Sequence, residues 1–163
     1  MLFSNAGKAT RFVEEDVRSM GRTAAGVRGI RLQEDQYVVS LIVVDEGEVL
    51  TATEHGFGKR TPIDEFPVYN RGGQGVIAIN TSERNGQLVG AVLVREADEV
   101  ILISNRGTLV RTEVSEISSL SRNTQGVTLI RLGKDERLVQ IEPVAAMDDE
   151  GGEEDIEEPD AEE

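Results

Sequence analysis

Arginine stands at two fixed places in a pattern that the chain repeats three times. Gly7, Gly56 and Gly107 lie 49 and 51 residues apart, and the fourth residue after each is Arg11, Arg60 or Arg111. The fifteenth is Arg22, Arg71 or Arg122, and Lys8, Lys59 and Arg106 lie close to the same origins. A guanidinium presents a planar fork of N–H donors that fits the oxygens of a phosphate. Forks set at matched heights on successive units would suit the backbone of a bent polyanion. Such binding reads charge and shape, tolerates sequence and weakens with salt. The same arginine can instead donate to carbonyls, or pair with a carboxylate, of the neighbouring unit and so stitch units together. The residues leave both readings open. The second is favoured for the plus-fifteen arginine, which lies near a glycine that begins a strand.

The elements that must position these arginines follow the same register. Nineteen residues after each origin come Gly26, Gly75 and Gly126, each followed by valine (Val27, Val76, Val127), and then by Ile30, Ile79 and Ile130 at plus 23. Plus ten stays apolar, as Val17, Phe66 and Ile117. A period near 50 residues marks propellers and related arrays. The origin glycines sit between an apolar run and a basic-apolar run, as in Val100 to Arg111, which predicts a hairpin with glycine at a positive-φ turn position. The runs Val100 to Ile103, Leu41 to Val44 and Ala91 to Val94 predict strands buried on both faces, as in stacked sheets. With further strands over Val76 to Ile79 and Val127 to Leu132, the fold class is all-β, a propeller-like array of three four-stranded blades. The expected boundaries are 1–47, 48–97 and 98–145 for the three blades and 146–163 for a disordered acidic tail. Propellers generally need four or more blades to close a ring, so the chain is expected to be a fragment, an open arc that could self-associate, or half of an assembly. Met1-Leu-Phe-Ser reads as the second half of a strand.

Charge is distributed unevenly. From Asp148 onward there are eleven acids and no base, within a total of 31 acids and 17 bases and a formal net charge of −14. Residues 1 to 147 keep 20 of the acids, so the body carries about −3 and has a basic face only if the signs are segregated in space. The first 31 residues point that way, with six bases against three acids. The tail is too acidic and too poor in apolar residues to fold. It would either solubilise the chain or compete, as a tethered polyanion, for the basic rim. In the second case removing residues 148–163 tightens polyanion binding.

Several kinds of chemistry are disfavoured. The chain has no cysteine, hence no disulfide framework or thiolate site, and a reducing compartment, the cytoplasm, is the default. No apolar run approaches the roughly 18 residues that span a bilayer, and no membrane partner is expected. His55 is the only histidine and is expected at an exposed turn. Glu14-Glu15-Asp16 and Asp64-Glu65 do not recur in all three units and read as solvated loop charge. There is no phosphate-cradling G-x4-G-K-[ST] and no G-x-S-x-G nucleophile elbow.

The phrases Gly26-Val-Arg-Gly-Ile-Arg-Leu32, Gly58-Lys-Arg-Thr61, Thr81-Ser-Glu-Arg-Asn-Gly86, Gly107-Thr-Leu-Val-Arg-Thr112, Val114-Ser-Glu-Ile117 and Arg122-Asn-Thr-Gln-Gly-Val127 resemble the C-terminal domain of the DNA gyrase A subunit, from residue 1 to about 145. The resemblance implies a β-pinwheel, a propeller variant with strands exchanged between adjacent blades, of which this chain would be the last three of six. It implies a module that wraps double-stranded DNA, sequence-tolerantly, around a basic rim so that the ATP-dependent holoenzyme introduces negative supercoils. The DNA contacts implied are Lys8, Arg11, Arg22, Lys59, Arg60, Arg71, Arg106, Arg111 and Arg122. The partners implied are the gyrase B subunit, which carries ATP and Mg²⁺, and the rest of the A subunit. No cofactor or metal is implied for this chain itself, and the location implied is bacterial and nucleoid-associated. The family's active-site tyrosine and its Q-R-R-G-G-x-G box are absent. Asn70-Arg-Gly-Gly-Gln-Gly75 looks like that box but lies in register with the repeat's ordinary R-x3-G turn. The chain alone is therefore expected neither to cleave DNA nor to use ATP, and its near-neutral body to bind DNA weakly. The rivals are the C-terminal domain of the topoisomerase IV A subunit, with fewer and more degenerate blades, and a propeller that serves only as a protein-interaction scaffold.

Overall fold

The computed structural model describes residues 1–144, and the expected acidic tail lies outside the described residues. Eleven strands form three antiparallel sheets, with no α-helix among the described residues. In the first repeat β1 (Leu2–Ser4) and β2 (Lys8–Thr10) make the hairpin and β3 (Val38–Leu41) follows. The second repeat has β4 (Glu48–Thr53), β5 (Phe57–Pro62), β6 (Val76–Ile77) and β7 (Leu88–Val94). The third has β8 (Glu99–Ser104), β9 (Leu109–Glu113), β10 (Val127–Thr128) and β11 (Leu138–Val144). The hairpin glycines Gly7, Gly56 and Gly107 have φ of 72°, 83° and 82°, the left-handed region that glycine enters without a Cβ clash.

Sheet order discloses an exchange. The first sheet runs β3-β1-β2-β6 and the second β10-β5-β4-β7, so each takes its fourth strand from the following repeat. Val76 lies opposite Ala9 and Ile77 opposite Lys8; Val127 lies opposite Gly58 and Thr128 opposite Phe57. The third sheet, β11-β8-β9, has three strands rather than four, because no further repeat follows it among the described residues. The exchanged strands are also two residues long, shorter than the runs that suggested them.

The last strands of the three repeats gather together, β3 against β7 and β7 against β11, leaving β6 and β10 on the opposite edge of their sheets. Between the first and second sheets lies a core of Phe3, Ala9, Phe66, Ala78, Ile79 and Leu88, in which the Phe3 and Phe66 rings meet edge-on at 6.2 Å. Between the second and third sheets lie Leu50, Val94, Val100, Val114 and Ile117, joined by Ala52, Leu102, Ile130 and Leu138. Stacking sheets face to face hides both sides of a strand, hence the continuous apolar runs. One such run departs from expectation. Leu41 and Val43 are 69% and 79% exposed. Their sheet has a neighbouring sheet on one side only among the described residues.

Candidate nucleic-acid interface

The repeating arginines divide into two sets by what their side chains touch. The plus-four arginine reaches forward into the next repeat. Arg11 Nη1 donates to the carbonyls of Ile63 (2.9 Å) and Phe66 (3.1 Å), and Arg60 Nε donates to the carbonyl of Ile117 (2.7 Å). Phe66 and Ile117 are the same repeat position, plus ten. Arg60 also pairs with Glu48 at 3.0 Å and is only 9% exposed. Arg111, with no repeat after it among the described residues, is exposed and forms a two-pronged pair with Glu99, its Nε lying 2.7 Å from Oε2.

The plus-fifteen arginine reaches backward. Arg71 donates to the carbonyls of Asp16 (3.1 Å) and Arg28 (2.6 Å). Arg122 donates to those of Glu65 (3.2 Å) and Ile77 (2.6 Å), again the same two repeat positions, and its backbone N–H adds a bond to the Glu65 carboxylate. Each junction is thus closed by one arginine from either side. Setting a guanidinium against aligned carbonyls satisfies some of its donors and pairs carbonyls at the interface, which accounts for the recurrence of type and spacing. Arg22, in the first repeat, is exposed.

Lys59 belongs wholly to a junction. It is fully buried, with Nζ held by the Ser121 carbonyl and, at 2.5 Å, by that of Arg122. Desolvation lowers its pKa to about 8, with the Glu65 carboxylate opposing that shift and the Arg122 guanidinium adding to it. A phosphate could meet Lys59 or Arg60 only by displacing these bonds. Accessible positive charge lies instead on Arg22, Arg106 and Arg111, which are exposed, and on Lys8, Arg71 and Arg122, which are half-buried. Arg18, Arg28, Arg31, Arg131, Lys134 and Arg137 add further exposed positive charge.

Two partners were missed in the sequence. Glu48 and Glu99 both stand eight residues before an origin glycine and both pair with the plus-four arginine. Their 51-residue spacing was the available signal. Arg84, 4.1 Å above the Phe57 ring and 2.9 Å from Gln125 Oε1, has no counterpart arginine in the other repeats, so periodicity gave no sign of it. His55 is exposed at its turn with Nδ1 2.9 Å from the Arg84 carbonyl oxygen. No group of three or more potential metal ligands occurs among the described residues.

A family model described as the DNA gyrase C-terminal domain, beta-propeller, matches residues 1–45, 47–95 and 98–145. The chain is 59% identical over 145 residues to the DNA gyrase A subunit of Pseudomonas aeruginosa, covering 88% of this chain and 16% of the relative. It is 57% identical over 152 residues to that of Salmonella typhimurium, covering 92% and 17%. The chain thus spans about a sixth of the length of these curated relatives. Among solved structures, a DNA gyrase A C-terminal domain superposes with a TM-score of 0.82 at 29% identity, over 88% of this chain and 50% of that one. The C-terminal domain of a DNA topoisomerase IV superposes with a TM-score of 0.81 at 27% identity, over 88% and 45%.

Proposed function

Because the chain belongs to the DNA gyrase C-terminal domain family, we propose that it binds and wraps duplex DNA around the edge of its sheets, as a non-catalytic part of an ATP-dependent topoisomerase that introduces negative supercoils. The observation that carries the reading is accessible guanidinium and ammonium groups on all three repeats of one arc. We assign the phosphate contacts to Lys8, Arg22, Arg106 and Arg111, and to the guanidinium donors of Arg71 and Arg122 that their junction bonds leave over. Arg11, Lys59 and Arg60 hold the repeats at the spacing that lines up the others.

A phosphate-directed surface of this kind attracts any duplex, and bending DNA along the arc gains contacts that offset the deformation energy. The partners are a gyrase B subunit, which supplies ATP and Mg²⁺ chemistry, together with the remainder of a gyrase A subunit, in the bacterial cytoplasm. The two superpositions differ by 0.01 in TM-score and do not separate gyrase from topoisomerase IV by shape; the match of the gyrase family model to all three repeats favours gyrase.

A salt-titrated gel shift tests the reading. A duplex near one persistence length, about 150 bp, should be retarded at salt concentrations that release one of about 20 bp, whatever their sequences. Absence of retardation of either duplex at low salt would instead favour a protein-interaction scaffold.

A further inference from the structure

The first and second repeats differ in how they place positive charge at the outer edge of their sheets. The residue after each hairpin glycine lies next to the exchanged outer strand, and in the first repeat it is Lys8, opposite Ile77 of β6. In the second repeat it is Phe57, opposite Thr128 of β10. The next bases of that repeat, Lys59 and Arg60, are enclosed in a junction. From its repeat pattern alone, the second sheet has no free base at this height.

A side chain from outside the pattern occupies the place. The guanidinium of Arg84 lies over the Phe57 ring, 4.1 Å from its centroid, and its Nη1 donates to Gln125 Oε1 at 2.9 Å. Phe57 pairs across the sheet with β10, and Gln125 stands two residues before that strand, so Arg84 sits beside the outer edge of the second sheet. Lys8 has the equivalent position on the first.

The loop that carries Arg84 is unlike its counterparts and firmly tied. From Ile79 to Gln87 it is one residue longer than the loops from Ile30 to Tyr37 and from Ile130 to Arg137, whose last residues make the same backbone bond to the hairpin. Asn85, fully buried, donates through Nδ2 to the carbonyls of Asn80 (2.9 Å) and Gln125 (2.7 Å). The His55 N–H donates to the Asn85 carbonyl at 3.0 Å, and His55 Nδ1 lies 2.9 Å from that of Arg84. The backbone is thus fixed on both sides of a side chain that stays exposed.

These contacts order the guanidinium without neutralising it. Stacking on a ring leaves the in-plane donors pointing outward, and the one that is bound meets a neutral amide. Arg84 forms no ion pair among the described residues, whereas Arg60, Arg95 and Arg111 are held by Glu48, Asp45 and Glu99. An exposed arginine gives up rotamer freedom when it grips a ligand. Here part of that freedom is already lost.

Building on the DNA-binding reading above, we propose that Arg84 is a phosphate-contacting residue of the second repeat, held in place by Phe57 and Gln125, and that it stands in the row of bases where Lys59 and Arg60 cannot. Because Gln125 belongs to the third repeat, the contact falls at the seam between two repeats. It is fully ordered only when that junction is closed.

Salt-titrated binding of the 163-residue chain to a duplex of about 150 bp tests this. Arg84→Gln should lower the slope of log K against log salt concentration by about 0.9, and weaken binding about eightfold at about 0.1 M salt, the loss that slope gives over the decade below 1 M. Phe57→Leu keeps the charge and removes the ring. It should weaken binding about two- to fivefold, the worth of an exposed cation–π contact, with the slope unchanged. In the Arg84→Gln background it should have no further effect. Urea denaturation shows that each variant folds, and Gln125→Ala, at an exposed residue, serves the same comparison where Phe57→Leu does not fold. A slope that Arg84→Gln leaves unaltered, or a Phe57→Leu effect of the same size with and without Arg84, would overturn the proposal, while binding by the wild type keeps the wider reading intact. A wild-type chain that retards no duplex at low salt would sink both.

Discussion

Arg60 donates through Nε to the carbonyl of Ile117, 2.7 Å away and 57 residues along the chain, while its Nη1 pairs with Glu48 at 3.0 Å. A residue that a linear reading can offer to DNA is therefore enclosed in a junction. Arg60→Ala should cost about 2–4 kcal/mol, since it leaves a buried carbonyl and a half-buried carboxylate without their partner. The equivalent Arg111→Ala, at an exposed ion pair, should have a far smaller effect, because solvent screens that pair. Urea denaturation of both variants reads the difference.

Lys59 gives the second junction a pH dependence. Its folded pKa of about 8 lies below the ordinary lysine value of 10.5, the value expected for the unfolded chain, so between these limits the unfolded chain binds more protons. Stability should therefore rise as pH increases from about 8 towards 10.5. The burial that lowers the pKa works against the charged form present at neutral pH. Comparing the wild type with Lys59→Met at about pH 7 and about pH 9.5 should show that increment in the wild type and its loss in the variant.

At Glu136 the surroundings favour the charged form, whereas at Lys59 they disfavour it. Its carboxylate accepts from the Ser104 and Thr108 hydroxyls at 2.5 and 2.6 Å and from the Gly133 N–H at 2.8 Å, holding its pKa at about 2 instead of 4.5. The stabilisation is complete above pH 4.5 and fades as pH falls towards 2. Glu136→Gln should flatten acid unfolding in that window, with the Thr108 amide and methyl resonances reporting it locally by NMR.

At Gly75 and Gly126 the exchanged segments pass close to the sheets that receive them. Gly75→Ala would force a side chain against the Ala9 carbonyl at a φ of 73° and should destabilise the first junction by about 1–3 kcal/mol. Gly26→Ala, at a similar φ with nothing nearby in a single chain, should cost about 1 kcal/mol from backbone strain alone. Thermal unfolding of the two variants measures the gap.

Much of this was legible in the residues. Glycines, arginines and apolar positions recurring in one register marked three copies, and glycine followed by a basic-apolar run marked each hairpin. The reach of each arginine was not legible, because a period records what each unit contains and not which unit its side chains enter. The forward direction of Arg11 and the backward direction of Arg71 emerge only once β6 is seen on the first sheet. Val76 to Ile79 looked like a strand of its own repeat for the same reason: the apolar pattern that suits one sheet edge suits the next equally well. The exposure of Leu41 was hidden because its run has the composition of Ala91 to Val94, and only the count of neighbouring sheets separates them.

The division of labour among the basic residues is tested most directly by the salt dependence of DNA binding. Each phosphate contact contributes about 0.9 to the slope of log K against log salt concentration. The double variant Lys8→Gln and Arg106→Gln, at residues placed in no junction bond by their side chains, should lower that slope by about 1.8 on a duplex of about 150 bp while leaving urea stability unchanged. An unaltered slope in the folded double variant would contradict the assignment of phosphate contacts to the accessible bases of the arc.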